Sequence, residues 1–417
     1  MFRLTRSKLQ PIGLDIGADS IHMMQLEVSG ASPVVEAYAR QSIPAEARNQ
    51  PTLALPVACD LIRQMLRQHS FAGRSVVASL PQEMIHVKNL RLPMMPVSEL
   101  AAAIEFEAKT VFPFDTDKAQ IRHIYAGEVR QGSDSRQEVI VLAVKNDDVN
   151  DYLEALHRCG AIVEALDFEP CALYRSIERF IRRKEDEQDV NVLIDIGLRR
   201  TQVIIGKGRD IHFFKPIEIG GAALNDAVAQ KLAISVEEAR NLRQRVGQQD
   251  ADDTQNRDSV RQAVYDATRT LLEELGREIS LCLRYYSVTF RGQRPSRVKL
   301  VGGEANDPQV LSVLNGALPV PADAGRPLSN VDTSRMKPQD RHGNLSEWAT
   351  ALGLALKQTD QHFAARDGKP RETAKPIEQN ASVEVVDLNR AVRSSSTNVP
   401  ANAVSVTGSS DKEIIHA

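Results

Sequence analysis

Apolar and polar positions along the first 360 residues follow two periods. Short runs that alternate with period two, or stay apolar throughout, predict strands at "IGLDIG", "IHMMQLEV", "SVVASL", "IHVKNLRL", "IRHIYAGEV", "EVIVLAV", "VNVLIDIG", "TQVIIGKG" and "RVKLVGG". Between them, apolar residues recur at helical spacing over 53–69, 98–111, 147–159, 171–185, 222–232, 235–246, about 258–288, and 345–358. The longest of these carries Val260, Val264, Ala267, Leu271, Leu275 and Ile279 on one stripe. Strands alternating with helices predict an α/β class.

The pattern breaks in three places. "RRKEDEQD" (182–189) and "QQDADDTQNRDS" (248–259) read as exposed connections. Residues 364–417 contain no Phe, Trp or Tyr and are rich in Ser, Thr, Asn, Ala and Pro. Such a segment buries too little apolar surface to offset its ordering entropy, so 365–417 is expected to be a disordered tail. Within it "SVEVVDL" (382–388) alternates like a strand and is suited to ordering on a partner.

One pattern occurs twice. "IGLDIGADSIHMMQLEV" returns in outline as "VLIDIGLRRTQVIIGKG": an apolar strand, Asp-Ile-Gly, a few small or polar residues, then a second strand. The two Asp residues, Asp15 and Asp195, stand 180 positions apart, too far for a solenoid repeat and suggestive of two similar halves. In such a turn Gly lets the chain reverse tightly, and the next backbone N–H groups can receive phosphate oxygens. The Asp at the strand end can hold a divalent cation, usually through water. One copy is an ordinary hairpin; two copies can clasp a nucleotide's phosphates from opposite sides of a cleft. Two Gly pairs extend the set. Gly302-Gly303 ends an apolar strand and leaves room for a flat base. Gly220-Gly221 opens a helix whose first N–H groups suit an anion.

Bulk properties narrow the function. A chain of 417 residues suggests two or three domains, and a net charge of −3 provides no global attraction to nucleic acid or a membrane surface. No run approaches the roughly 20 apolar residues of a membrane helix, and the start "MFRLTRSKLQP" lacks an apolar continuation because Asp15 interrupts it. A cytoplasmic protein is expected, meeting the membrane only through a partner. Cys59, Cys159, Cys171 and Cys282 show no zinc-type spacing and read as reduced thiols.

The order DIGADSIH, DIGLRRT, IEIGGAALNDAVA, VEEARNLR, LVGGEA resembles the actin-like ATPase superfamily over about residues 10–360. Within it, "AIEFEAKTVFPFD" (103–115), "DFEPCALYRSI" (167–177) and "IEIGGAALNDAVA" (217–229) are similar to the PilM family of type IV pilus assembly proteins, relatives of FtsA. The resemblance implies two ribonuclease H-like halves with an inserted strand-helix-strand-strand subdomain. The expected division is 10–83 for the start of the first lobe, 84–160 for the insertion, 161–190 for the return, and 191–360 for the second lobe. It also implies ATP and Mg²⁺ as cofactors, weak ATPase activity at most, and a groove on the insertion for the cytoplasmic N-terminal peptide of a PilN-like inner-membrane protein.

Carried over residue by residue, the resemblance makes Asp15, Gly17, Ala18, Asp19 and Ser20 the first phosphate loop. Asp195, Gly197 and Thr201 belong to the second loop. Gly220, Gly221, Gly302 and Gly303 complete the nucleotide site, with Asp15 and Asp195 toward the metal. Glu169 occupies the connection where actin-like hydrolases orient the attacking water. The chain also departs from the pattern. His22 stands where the family usually has Lys, and an imidazole lacks the full charge with which that Lys meets a phosphate. Asp19 replaces a small Ser and adds negative charge. Arg199 and Arg200 either offset the missing Lys by meeting phosphate oxygens or point to solvent on a hairpin tip. The ribose-contacting Ala-Glu-x-x-Lys helix reads Ala239, Arg240 and Arg243, with Glu238 turned about 100° off that face.

These departures shift the expectation from an ATP-driven motor toward a weakly binding pilus-platform scaffold. The alternatives are a nucleotide-silent adaptor like the actin-like domain of type II secretion GspL proteins, an FtsA-like division protein, and a sugar kinase or phosphatase of the superfamily. The end "VSVTGSSDKEIIHA" is too polar for the amphipathic membrane helix that closes FtsA.

Overall fold

Three β-sheets organise the chain in the computed structural model, which describes residues 8–28, 32–48, 51–248, 255–290, 294–357 and 384–386. Strands β1 (Lys8–Leu9), β2 (Ile12–Ile16), β3 (Ser20–Val28) and β4 (Pro33–Ser42) form an antiparallel meander centred on β3. Helices α1 (Ala45–Arg48) and α2 (Pro51–Gln68) lead to β5 (Ser75–Ser79), which runs parallel to β2. The chain then leaves this sheet for β6 (His86–Pro93), α3 (Val97–Val111), β7 (Ala119–Gln131) and β8 (Asp134–Lys145). Helix α4 (Asn146–Arg158) brings it back to β9 (Ile162–Asp167), parallel to β5, followed by α5 (Glu169–Glu178).

The second half repeats the plan. Strands β10 (Val190–Ile196), β11 (Thr201–Lys207) and β12 (Asp210–Ile217) form the meander. Helices α6 (Gly221–Leu232), α7 (Val236–Gln248) and α8 (Gln255–Thr289) precede β13 (Val298–Val301), parallel to β10. Helix α9 (Pro308–Ala317) then leads to β14 (Ala322–Ala324), parallel to β13. Strands β2 and β10 are near-continuous apolar runs because helices cover both faces of a sheet with parallel strands. This is the duplicated, two-lobed α/β fold expected from the repeated Asp-Ile-Gly strands.

Strand β8 is apolar without a break from Val139 to Val144, and the structure shows why. Val139, Val141 and Ala143 on β8 face α3, packing with Leu100, Ile104 and Ala108. The intervening Ile140 and Leu142 join the core of the second half with Phe214 and Phe290. Both faces of a period-two strand are therefore buried against different partners.

Four features differ from the sequence expectations. The last strand of each meander, β4 and β12, was absent from the expected strands, as were β1 and β14. Helix α9 is likewise additional. Helix α5 ends at Glu178 rather than near 185; beyond that end the Asp186 carboxylate accepts from the backbone N–H groups of Arg182 and Arg183 at 3.0 and 2.9 Å and holds the next turn. Finally, α10 (Ala349–Ala355), which the expected boundary at 191–360 places with the second lobe, packs on β2, β3 and α5 of the first. Gly353 permits this approach, since a Cβ there would fall inside the Ala172 carbonyl. Of the expected tail, β15 (Glu384–Val386) is described as a strand on β6; the rest of 365–417 lies outside the described residues.

Candidate functional site

The ends of β2 and β10 meet in a cleft of about 720 Å³ between the two lobes. Among the expected site residues, Asp15, Gly17, Ala18, Asp19 and Ser20 line it from the first lobe, with Glu169 at the start of α5. Asp195, Gly197, Gly302 and Gly303 line it from the second. Each Asp closes an apolar strand, and each turn is pinned by a backbone bond: Gly17 N–H to the Ser20 carbonyl (3.1 Å) and Gly197 N–H to the Arg200 carbonyl (3.0 Å). Gly302 is required at its place. Its φ is +93°, and a Cβ would lie 2.5 Å from Asp195 Oδ1.

Three expected residues do not line the cleft. Thr201 is buried and donates its hydroxyl to the Ile219 carbonyl (2.7 Å). At Gly220-Gly221 the first N–H groups of α6 are already used: Gly221 N–H donates to the Gly197 carbonyl (2.9 Å) and Ala222 N–H to the Leu198 carbonyl (2.7 Å). The expectation of free helix donors there is not met. This helix end braces the second loop, and that bracing gives the paired glycines a structural role.

At the floor of the cleft is a cluster of acids. Glu169 Oε2 accepts from Gln82 Nε2 (2.9 Å) and Gln202 Nε2 (2.8 Å), and Gln202 Nε2 also reaches Asp195 Oδ2 (3.3 Å). Burial, and then the charges of Asp195 and Asp15, push the Glu169 carboxyl up to about 8; the two glutamine bonds oppose this. Burial and the charge of Asp15 push Asp195 up to about 7. Asp15, Asp195 and Glu169 share one lining, so ionising all three together is resisted; among the described residues no group of three His, Cys, Asp or Glu is set to hold a metal ion directly, and a cation there would be held through water.

Orphaned buried atoms point the same way. Among the described residues, both ring nitrogens of His22 and Oε1 of Gln202 are buried without a hydrogen-bond partner, and both residues line the cleft. His22 Nδ1 lies 3.6 Å from Asp15 Oδ2, and its ring meets Trp348 edge-on at 4.9 Å. Unsatisfied polar atoms beside acids suit a hydrated cation, whose waters can serve donors and acceptors alike.

The rim is basic, and its arginines are engaged. Arg200 donates to Gln82 Oε1 (2.8 Å) and Glu83 Oε1 (2.7 Å), and Arg199 to the Arg48 carbonyl (3.3 Å). Asp19 is gripped by Arg48 (2.9 Å) and Arg240 (2.7 and 2.9 Å). On the nucleoside side, Arg243 donates to Asn225 Oδ1 (2.8 Å) and Glu304 Oε2 (2.6 Å). Glu238, the displaced ribose contact, instead closes a capping box with Ser235 outside the cleft.

Sequence reasoning missed Gln82, Gln202, Arg48 and Glu304. Gln202 carried a weak signal, because period two on β11 puts it opposite Asp195 in register. Arg48 and Gln82 carried none, since their partners are far away in sequence.

Among solved structures, a PilM–PilN type IV pilus biogenesis complex resembles the chain at 23% identity and a TM-score of 0.68, covering 84% of this chain and 98% of that one. The ethanolamine utilization protein EutJ from Carboxydothermus hydrogenoformans matches at 14% identity and a TM-score of 0.47, covering 84% and 89%. MreB 5 of Spiroplasma citri bound to AMPPNP matches at 9% and 0.44, covering 86% and 98%. The likeness to the first supports the actin-like fold. The model of the type IV pilus assembly protein PilM family matches residues 13–359, nearly the whole described fold, and the chain belongs to that family.

Proposed function

We propose that this protein is an actin-like scaffold of the type IV pilus inner-membrane platform that holds ATP with Mg²⁺ weakly between its lobes and carries the N-terminal tail of a PilN-like membrane protein. The observation that supports the nucleotide most directly is the convergence of Asp15, Asp195 and Glu169 with the orphaned atoms of His22 and Gln202. Asp15 and Asp195 would hold a hydrated Mg²⁺, with Gln202 and Glu169 orienting its waters. The bound ion would supply charge neutralisation for phosphates. Glu169, held by two glutamines, would face such a water; burial pushes its carboxyl up to about 8, so it would accept a proton only where a bound cation restores its charge. The partner reading rests on family membership and on the PilN present in the related solved complex. Among the described residues no helix is long and apolar enough to cross a membrane, which supports attachment through that partner.

Calorimetric titration with Mg²⁺–ATP tests the first part. Saturable binding that is lost in Asp195→Asn supports it; no heat at millimolar ATP overturns it. Capture of the protein on an immobilised N-terminal peptide of a PilN-like protein tests the second. One observation favours the nucleotide-silent adaptor instead. Asp19 already satisfies Arg48 and Arg240, two of the cations a terminal phosphate would seek.

A further inference from the structure

The inserted sheet has a free edge that the chain itself closes. Its order is β15-β6-β8-β7, so without β15 the strand β6 would be the edge. The pairing is antiparallel, with Glu384 opposite Arg91, Val385 opposite Leu90 and Val386 opposite Asn89. An open edge strand presents a row of unpaired N–H and C=O groups that template another strand. The alternating stretch "SVEVVDL" around β15 has the strand pattern such an edge accepts, in a tail otherwise low in apolar residues.

We propose that the β6 edge is a peptide-binding edge and that Glu384–Val386 is its tethered resident, which an incoming extended peptide must displace. Two features support this. First, β15 is short. Among the described residues, three pair with Asn89–Arg91 of a strand that runs His86–Pro93. A partner that extends along the whole edge makes more main-chain bonds than the resident. Second, the resident is held by its tether. About 26 residues separate Lys357 from Glu384, and a tether of that order gives an effective concentration on the order of millimolar. That is enough to seat a three-residue strand whose free peptide would bind poorly. It is also weak enough to yield to a longer strand. The ligand class is therefore an extended peptide with alternating apolar and polar residues, recognised mainly through its backbone.

The test uses the full chain and a variant carrying both Val385→Pro and Val386→Pro. Adjacent residues of a strand alternate which N–H faces the neighbour, so the double change removes the inward donor whichever residue supplies it. Hydrogen exchange is followed on His86–Pro93. The expected result is exchange at least tenfold faster at 89–91 in the variant, restored by a synthetic peptide of residues 380–390. That peptide should bind the variant saturably and the wild type at least tenfold more weakly. Identical exchange in the two proteins overturns the proposal. Protection that fades on dilution, with a dimer in sedimentation, also overturns it and assigns the edge to a second copy of the chain.

Discussion

Arg240 on α7 donates to both carboxylate oxygens of Asp19, at 2.7 and 2.9 Å, across the mouth of the cleft. Arg48 completes the grip and also reaches Glu237 on α7 (2.9 Å), so two acids and two arginines tie the first lobe to the second. A carboxylate between two guanidiniums occupies the kind of place a phosphate takes. Asp19→Ser empties it. The expected outcome is Mg²⁺–ATP affinity raised about tenfold, or about 1.4 kcal/mol, measured by calorimetry against wild type. Equal or weaker affinity would mean that Arg48 and Arg240 serve only to hold the lobes.

The acid cluster makes stability depend on pH, with a defined sign. Asp195 and Glu169 are both raised in the fold, mainly by burial, then by Asp15 for Asp195 and by Asp195 and Asp15 for Glu169. In the unfolded chain they titrate near 4. Between those values the native state binds more protons, so their contribution is complete below about pH 4 and is lost as pH rises through 7 to 8. Asp195→Asn removes the charge that resists burial. Relative to wild type, it should stabilise the ligand-free protein by on the order of 2 kcal/mol at pH 8.5 and by little at pH 5. Chemical denaturation at the two pH values reads this directly. A gain equal at both would show that Asp195 ionises normally.

Gly353 tests whether the last helix belongs to the first lobe. It sits where α10 crosses α5, and no room exists for a methyl group against the Ala172 carbonyl. Backbone cannot yield as a side-chain tip does, so Gly353→Ala should cost about 3 kcal/mol. The thermal midpoint should fall by at least about 5 °C. Disruption should also loosen the Lys357–Asp167 pair (2.9 Å), which fastens the end of this segment to β9. A silent substitution would place α10 elsewhere.

What the sequence made legible was local. The two Asp-Ile-Gly strands, the long helix α8 and the strands of the insertion are patterns of neighbouring residues, and they appear close to where periodicity put them. The α5 end was misjudged because apolar spacing continues through Ile181, while the chain leaves the helix at Glu178 and its next turn is held by the Asp186 carboxylate. The site divides along the same line. Asp15, Asp195 and Gly302 were visible because each closes a recognisable strand. The grip on Asp19 joins residues 221 positions apart, and the Gln82–Glu169 bond spans 87, so neither leaves a local trace. Gly220-Gly221 shows the converse. A motif that looks like an anion site by itself is consumed by the loop it packs against.

Trp348 offers an optical report on the cleft. It is the chain's only tryptophan and is buried beside His22 and Tyr38, both edge-on, at 4.9 and 5.8 Å. His22 in turn faces Asp15, whose carboxylate lines the cleft floor. A cation or phosphate arriving at Asp15 changes the field on the imidazole, and the imidazole is in van der Waals reach of the indole. Tryptophan emission should therefore change on adding Mg²⁺–ATP and saturate with the calorimetric affinity. His22→Ala should retain saturable binding by calorimetry while losing most of the emission change, because the intermediary ring is gone. If emission stays constant in a protein that calorimetry shows to be saturated, the nucleotide lies away from Asp15, and the acid cluster must be assigned another ligand.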